Sequence, residues 1–519
     1  MLSKKVVKED FGKSKYSNRD MNKIRALFDI TKEKDYTIDD ITWNDLEMDK
    51  VFKQIDRTYS TAGEGVLYSM LRNPIVDKDE LNKRSELIDY FINNQDLTTD
   101  IRRILFNLGY DRKNRVLDMF NGLLTINKCK YYLYFIMGIV IPIILALSAV
   151  IFKEPRIMFF FMVTCLINMG IEMTERSTIQ ASTLGYLRSL INAGKKLYKI
   201  NDSKIDKYTG AISNVLEEIS DINKGTLVIS ISNAWGGVLE LISIPFLIEV
   251  STYYRISGRI EEKKYDIYKL LYYVGELDAL ISIASYKFSN KEKLCTPKFQ
   301  DNKEIEIVEG INPLLKNPVP NTIKINSKGI VLTGTNMSGK STFLRMIGVN
   351  ILFSQVFNFA FAKEYNSCVF NIVSSISPND DIEKGKSYYL SEAESLLRII
   401  RSLEKDLPVF ALIDEIFRGT NPVERIASSS EILSYINSRN SIVIVATHDR
   451  ELTDMLKDEY EFYYFSEDVN DNEGLVFDYK IKRGISLTRN AIKLLDYIGY
   501  PKEIIEKSYD RCKKLDGYI

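Results

Sequence analysis

The sequence predicts two architectures in one chain. A mostly α-helical core, interrupted by a transmembrane helical hairpin, precedes a C-terminal α/β domain with a mainly parallel sheet. Three observations predict this. Charged and apolar residues alternate at helical spacing through most of the first 290 residues. A run of 22 residues at 131–152 carries no charge. Beyond about residue 295, short β-branched runs alternate with helical patterns, as strands and helices do in a parallel α/β sheet.

The bulk composition is that of a folded protein. At 519 residues the chain is long enough for two to four domains, and 45% apolar content excludes a disordered class. Lys plus Arg and Asp plus Glu both number 70, so no global positive field draws the chain toward nucleic acid. The five cysteines are scattered without a C-x-x-C pair, which fits a reducing compartment and supplies no metal framework. The opening "MLSKKVVKEDFGKSKY" has no apolar h-region, so no cleaved signal peptide is expected.

Taken in order, "DKDELNKRSELIDYFINN" (77–94) is an amphipathic helix for which Asp77 is the expected N-cap. The uncharged run "YYLYFIMGIVIPIILALSAVIF" (131–152) spans roughly 33 Å as a helix, against a hydrocarbon core of about 30 Å. After "KEPR" comes "IMFFFMVTCLINMGI" (157–171), also uncharged. Tyr131, Tyr132 and Tyr134 stand where interfacial aromatics belong. The expectation is a two-pass hairpin over 131–171, anchored in the cell membrane with both chain ends in the cytoplasm; a buried helical pair or an apolar dimer contact is the alternative. A third apolar stretch (226–250) contains Glu240 and Glu249 and is read as a buried or interfacial helix, because a single extra crossing would separate the two soluble halves. These shifts divide the chain into 1–125, the first part of the helical core; 126–175, the hairpin; 176–294, the second part of the core with its lever; and 295–519, the α/β domain.

The chemistry concentrates in the last part. "GIVLT" (329–333), "PVFALI" (408–413) and "SIVIVA" (441–446) are the strand candidates. Gly334, four residues, then Gly339-Lys340-Ser341 match the phosphate-loop pattern G-x-x-x-x-G-K-[ST], with a strand before it and a helical pattern after it. Glycines let backbone N–H groups of Gly334, Thr335 and Ser338 turn inward around phosphates, and the helix that follows points its positive end at the same place. Lys340 is placed to reach the β- and γ-phosphates and Ser341 to ligate Mg²⁺. The strand "VFALID" ends at Asp414-Glu415: Asp414 for the magnesium site, Glu415 to polarise the attacking water. "SIVIVATHDREL" ends a third strand at His448, the chain's single histidine, placed to sense the γ-phosphate rather than to fill a core.

Together "TGTNMSGKST", "LIDEIFRGTNPVER" and "ATHDREL" resemble, in order and spacing, the MutS family of ABC-type ATPases. The segments at 374–397 and 497–512 resemble that family's stretch between the first two motifs and its C-terminal helix. Residues 57–91 and 275–285 are similar to its helical core. The resemblance implies an α/β P-loop ATPase domain of ABC/RecA-like type, with ATP contacts at Asn336, Met337, Gly339, Lys340, Ser341 and Thr342. It also implies metal and water handling at Asp414 and Glu415, and a γ-phosphate switch at His448. In the family two such domains pair, and Ser387 in "GKSYYL" matches the serine that completes the partner's site. A homodimer with composite ATP sites is therefore implied.

Departures from the family pattern qualify its DNA role. Mismatch-repair members carry a Phe-x-Glu mismatch-reading wedge in an N-terminal domain, and here the pattern occurs only at Phe465 to Glu467, inside the ATPase half. "IFRGTN" replaces the glycine-rich wording, Ser338 replaces a usual glycine, and "LTRNA" (487–491) stands where repair members have Ser-Tyr-Gly. The apolar hairpin lies where the DNA-gripping clamp would be inserted. Two functional readings follow: a membrane-associated, dimeric MutS-like ATPase of a branch lacking the mismatch-reading domain, acting on structured or mismatched DNA; or an ATP-driven module that acts on a membrane protein or the bilayer, without DNA.

Overall fold

The computed structural model describes residues 2–15, 20–31, 35–111, 120, 127–180, 184–225, 243–326, 328–335, 338–376, 388–417, 421–470, 474–485 and 491–516. It divides into two compact units. The first holds Met1–Lys32, Ile55–Ser69 and Leu87–Ser289; the second holds Glu33–Gln54, Met70–Glu86 and Asn290–Ile519. Residues 33–54 and 70–86, placed by the sequence reading in the helical core, thus group with the α/β half.

Among its described residues, the regular elements of the first unit are all helices. Its packing centres on the start of the helix Thr61–Arg72. Ser60 caps that helix by accepting from the Gly63 amide at 3.0 Å, and its hydroxyl donates to Asp278 Oδ2 at 2.6 Å. The Tyr59 amide also donates to Asp278, at 3.0 Å. Gly63 is required here, because a Cβ would fall 2.2 Å from Asp278 Oδ2. Burial pushes the Asp278 carboxyl above its usual range, against the lowering effect of these hydrogen bonds.

The predicted hairpin forms two long helices. Lys128–Phe135 continues through one π-helical turn, Ile136–Val140, into Ile141–Phe152, and Pro155–Gln180 returns. Lys153, in the left-handed region at φ 53°, makes the turn between them. Lys128–Phe152 and Pro155–Glu175 are each long and apolar enough to cross a membrane, and both are mostly exposed. Of the third apolar stretch, 226–242 lies outside the described residues; from Ile248 the chain is a helix to Glu262.

The second unit carries two sheets. The smaller has the order β1-β5-β2-β3, from Lys298–Phe299 (β1), Glu364–Ser367 (β5), Ile305–Gly310 (β2) and Asn321–Ile325 (β3). The larger has the order β10-β9-β4-β8-β7-β6. Its strands are Gly474–Arg483 (β10), Tyr460–Asn470 (β9), Gly329–Thr333 (β4), Ser441–Ala446 (β8), Val409–Asp414 (β7) and Asn371–Ser375 (β6). Strands β9, β4, β8, β7 and β6 pair in parallel, and β10 closes one edge antiparallel. The three strands expected from sequence are β4, β7 and β8. Their side chains are buried along their whole length, as a sheet covered on both faces requires. One face packs Val331, Leu433, Ile436, Val443 and Leu456 into a continuous core.

Physical reasons bring residues 33–54 and 70–86 into this unit. Leu46 lies so close to Gly348 of the helix Lys340–Phe357 that a Cβ there would meet Leu46 Cδ2 at 2.5 Å. The Ile75 amide donates to the Gln355 carbonyl at 2.9 Å, and Arg84 Nη1 donates to the Val356 carbonyl at 3.0 Å. Asp77 is the N-cap expected, accepting from the amides of Asp79 and Glu80 at 2.7 and 3.1 Å ahead of the helix Lys78–Asn93.

Candidate nucleotide site

The site residues gather at the carboxyl edge of the parallel strands, where α/β sheets present loops to ligands. Strand β4 ends at Thr333 and the chain turns at Gly334, whose φ of 144° lies in the region that favours glycine. A Cβ at Gly334 would approach Ser338 Oγ at 2.9 Å and the Phe465 carbonyl at 3.0 Å, so the turn tolerates no side chain. Gly339, at φ 107°, precedes the helix Lys340–Phe357, and no side chain caps that helix. Its first amides therefore face the loop they terminate, which is the anion-binding geometry of a helix start.

Lys340 is buried, and its ammonium donates to the carbonyls of Gly334 and Thr335 at 2.7 and 2.9 Å. The loop is thus curled over its own lysine. Lys340 Nζ also lies 3.5 Å from His448 Nε2, and that nitrogen is 2.9 Å from Glu415 Oε1. The Ser341 hydroxyl donates to Asp414 Oδ2. Two backbone bonds hold these strand ends in register: the Glu415 amide to the Ala446 carbonyl at 2.8 Å, and the Thr447 amide to the Leu332 carbonyl at 3.0 Å. Glu415 and Phe417 both adopt positive φ, near 59°, an uncommon conformation for non-glycine residues that re-aims the chain as it leaves β7.

The structure thus brings together Gly334, Thr335, Lys340, Ser341, Asp414, Glu415 and His448. Ser338 is fully buried within the loop, and Gly339 and Thr342 flank the helix start. Asn336, Met337 and Ser387 lie outside the described residues.

The donor set suits a nucleotide with a hard divalent cation. A hydroxyl and a carboxylate meet at one point, oxygen ligands of the kind Mg²⁺ takes alongside phosphate oxygens. Among the described residues no group of three or more His, Cys, Asp or Glu side chains could hold a metal ion alone. A cation here would therefore complete its shell from phosphate and water.

A second layer went unread in the sequence. The short helix Asp40–Asp45 sits against the end of β6. Asp45, almost fully buried, accepts from Ser374 Oγ at 2.7 Å and from the Ile376 amide at 2.9 Å. Its backbone carbonyl accepts from Arg345 Nε at 2.8 Å, in the second turn of the helix that opens with Lys340. Arg398 pairs with Asp39 and donates to Thr42 Oγ1 and the Ser374 carbonyl. The only local signal for this arrangement is Asp39, an N-cap that accepts from the Thr42 amide at 2.8 Å.

Comparison with known proteins agrees with this architecture. MutS domain III matches residues 37–284, a span that includes the apolar hairpin, and MutS domain V matches residues 330–516. The DNA mismatch repair protein MutS of Fervidobacterium nodosum is 25% identical over 95% of this chain and 66% of its own length. That of Fusobacterium nucleatum is 24% identical over 89% of this chain and 56% of its own. That of Petrotoga mobilis is 31% identical over 53% of this chain and 34% of its own. The chain therefore spans between about a third and two thirds of the length of these relatives. Two domains of one family in one order, together with relatives that bear its name, support assignment of this chain to the MutS family.

Proposed function

We propose that this chain is a membrane-associated MutS-like ATPase that works as a dimer, coupling ATP binding and hydrolysis to movement of its helical arms. One observation carries the reading: Lys340, Ser341, Asp414, Glu415 and His448, drawn from three separate strand ends, converge on one glycine loop.

In this reading Lys340 exchanges the carbonyls of Gly334 and Thr335 for phosphate oxygens, and the amides that open its helix complete the cradle. Ser341 and Asp414 hold Mg²⁺, which when bound draws charge from the phosphate oxygens. Glu415 holds the attacking water and takes its proton as the terminal phosphate leaves ADP. His448, hydrogen-bonded to Glu415, orients that carboxylate and reports the presence of the γ-phosphate. Ser387 of one protomer completes the site of its partner. The hairpin over 131–171 anchors the protein in the cell membrane with the ATPase in the cytoplasm.

The DNA mismatch repair proteins similar to this chain suggest DNA of unusual structure as the ligand that hydrolysis serves. A second reading, a module that acts on a membrane protein or the bilayer without DNA, is favoured by the exposed apolar helices Lys128–Phe152 and Pro155–Glu175. Titrating the purified chain with duplex, branched and mismatched DNA separates the two. A DNA role predicts affinity that falls steeply with salt, with ATPase that responds to DNA. ATPase activity with no DNA binding at low salt retires it in favour of the second reading. Absence of both nucleotide binding and hydrolysis overturns the ATPase assignment itself.

A further inference from the structure

Glu415 follows β7 and His448 follows the neighbouring strand β8, where Asp414 pairs with Ala446 in parallel register. Contact between the two side chains depends on how each segment is held once it leaves the sheet. On the β8 side Thr447 is still tied down, its amide donating to the Leu332 carbonyl at 3.0 Å. Its hydroxyl then accepts from the Asp449 amide at 3.1 Å, which closes a small turn around His448. Asp449 precedes the helix Arg450–Met455 in extended backbone, at φ −78° and ψ 114°. That is the N-cap position, where aspartate ordinarily accepts from a first-turn amide. Asp39 and Asn421 do so for their own helices, at 2.8 and 3.0 Å. Asp449 makes no such bond; its carboxylate accepts from Arg425 Nη2 at 2.6 Å instead.

Arg425 ends the first turn of Pro422–Asn437, the next described helix after Glu415. Arg425 and Asp449 thus belong to the two segments that lead away from Glu415 and His448. Their pairing closes a ring: Glu415 to His448 at 2.9 Å, His448 to Asp449 through one peptide bond, Asp449 to Arg425, and Arg425 back along the chain to Glu415. The two side chains are only 25% and 22% exposed, so water and salt screen the pair less than one on an open surface. The helices do not need it to pack. Leu433 and Ile436 of one, and Leu452 and Leu456 of the other, are each at most 1% exposed and share one apolar core with the sheet. Packing alone gives no reason for an aspartate to forgo its cap here.

We infer that Arg425 and Asp449 are positioning residues for hydrolysis: their ion pair fixes the turn on which His448 stands and, through His448, the carboxylate of Glu415. This rests on the ATPase reading given above and deepens it. The hydrogen bond between His448 and Glu415 weakens steeply with distance and angle, and misplacing a reacting group by about 1 Å costs about 100-fold in rate. Glu415 needs support from outside its own segment, because its backbone sits at φ 59°, a conformation uncommon for residues other than glycine. Lys340 is held independently of the pair. Its ammonium reaches His448 Nε2 at 3.5 Å, but the carbonyls of Gly334 and Thr335 hold it at 2.7 and 2.9 Å. Loss of the pair therefore acts on bond cleavage and leaves nucleotide binding in place.

The test uses the full-length protein with Mg²⁺ and labelled ATP, and reads equilibrium binding and single-turnover hydrolysis separately. Arg425→Met keeps the packing of the apolar stem and removes the charge; Asp449→Ala removes the acceptor without removing a cap. Each is expected to slow hydrolysis by about 10-fold or more while ATP affinity changes by less than about twofold. Should one variant fail to fold, as circular dichroism would show, the other carries the test. In a His448→Ala background, Arg425→Met is expected to slow hydrolysis no further, because its effect runs through the imidazole. A parent chain that neither binds nor hydrolyses ATP overturns the ATPase reading and the inference with it. A parent that hydrolyses ATP, with both variants keeping its rate, overturns the inference alone. Equal losses of affinity and rate would show that the pair shapes the phosphate loop, and an undiminished loss in the His448→Ala background would show that it bypasses His448; either result overturns the positioning role.

Discussion

Lys340 is a buried cation whose ammonium is matched by the carbonyl dipoles of Gly334 and Thr335. Lys340→Ala removes that charge and is expected to weaken ATP binding by about 10- to 100-fold, as loss of a charge-assisted contact of about 1.5–3 kcal/mol implies. Equilibrium binding of labelled nucleotide checks it. Glu415→Gln preserves shape but cannot take a proton. ATP should still bind, while single-turnover hydrolysis slows by about 10²- to 10⁴-fold; turnover near that of the parent places the base elsewhere. In the helical unit, Asp278 is held above the ordinary carboxyl range by burial. The folded state therefore binds this proton more tightly than the unfolded one. Stability from this group is present below the unfolded value of about 3.9 and declines as pH rises through the higher folded value. Asp278→Asn removes the titration, so its melting temperature relative to the parent should rise between acid and neutral pH.

Single elements act here by tying distant parts of one unit together. The six-residue helix Asp40–Asp45 touches both the exit of β6, through Asp45 to Ser374 and Ile376, and the helix Lys340–Phe357, through Arg345. Asp45→Ala strips acceptors from a buried hydroxyl and a buried amide, and about 2–4 kcal/mol of stability should be lost. Denaturant unfolding of the intact chain reads that loss. The Asp40–Asp45 helix is too short for its apolar periodicity to say where it packs. Its role became visible only with the strand it braces.

At the scale of the whole molecule, the chain passes between its two units several times before Asn290 commits it to the α/β half. The helix Lys264–Ser289, which follows the helix Ile248–Glu262 after a break at Lys263, ends one residue before that point. Deleting 131–171 is expected to shift the protein from the membrane to the soluble fraction. Partitioning of the intact chain into the soluble fraction would instead leave the exposed apolar helices to be covered by protein.

The sequence by itself determined what depends on neighbours along the chain. Strands β4, β7 and β8 were legible because complete burial writes an unbroken apolar run. The tight loop between β4 and the helix Lys340–Phe357 was legible because its glycines must stand at fixed positions for the backbone to turn. The Asp77 cap was legible for the same local reason. Tertiary structure alone decided what depends on residues far apart in sequence. It brought His448 to Glu415, Asp45 to Ser374, and Asn168 to Met137 and Pro245. These pairings answer the demand that a buried polar group find a partner, and the sequence shows that demand without showing which partner meets it.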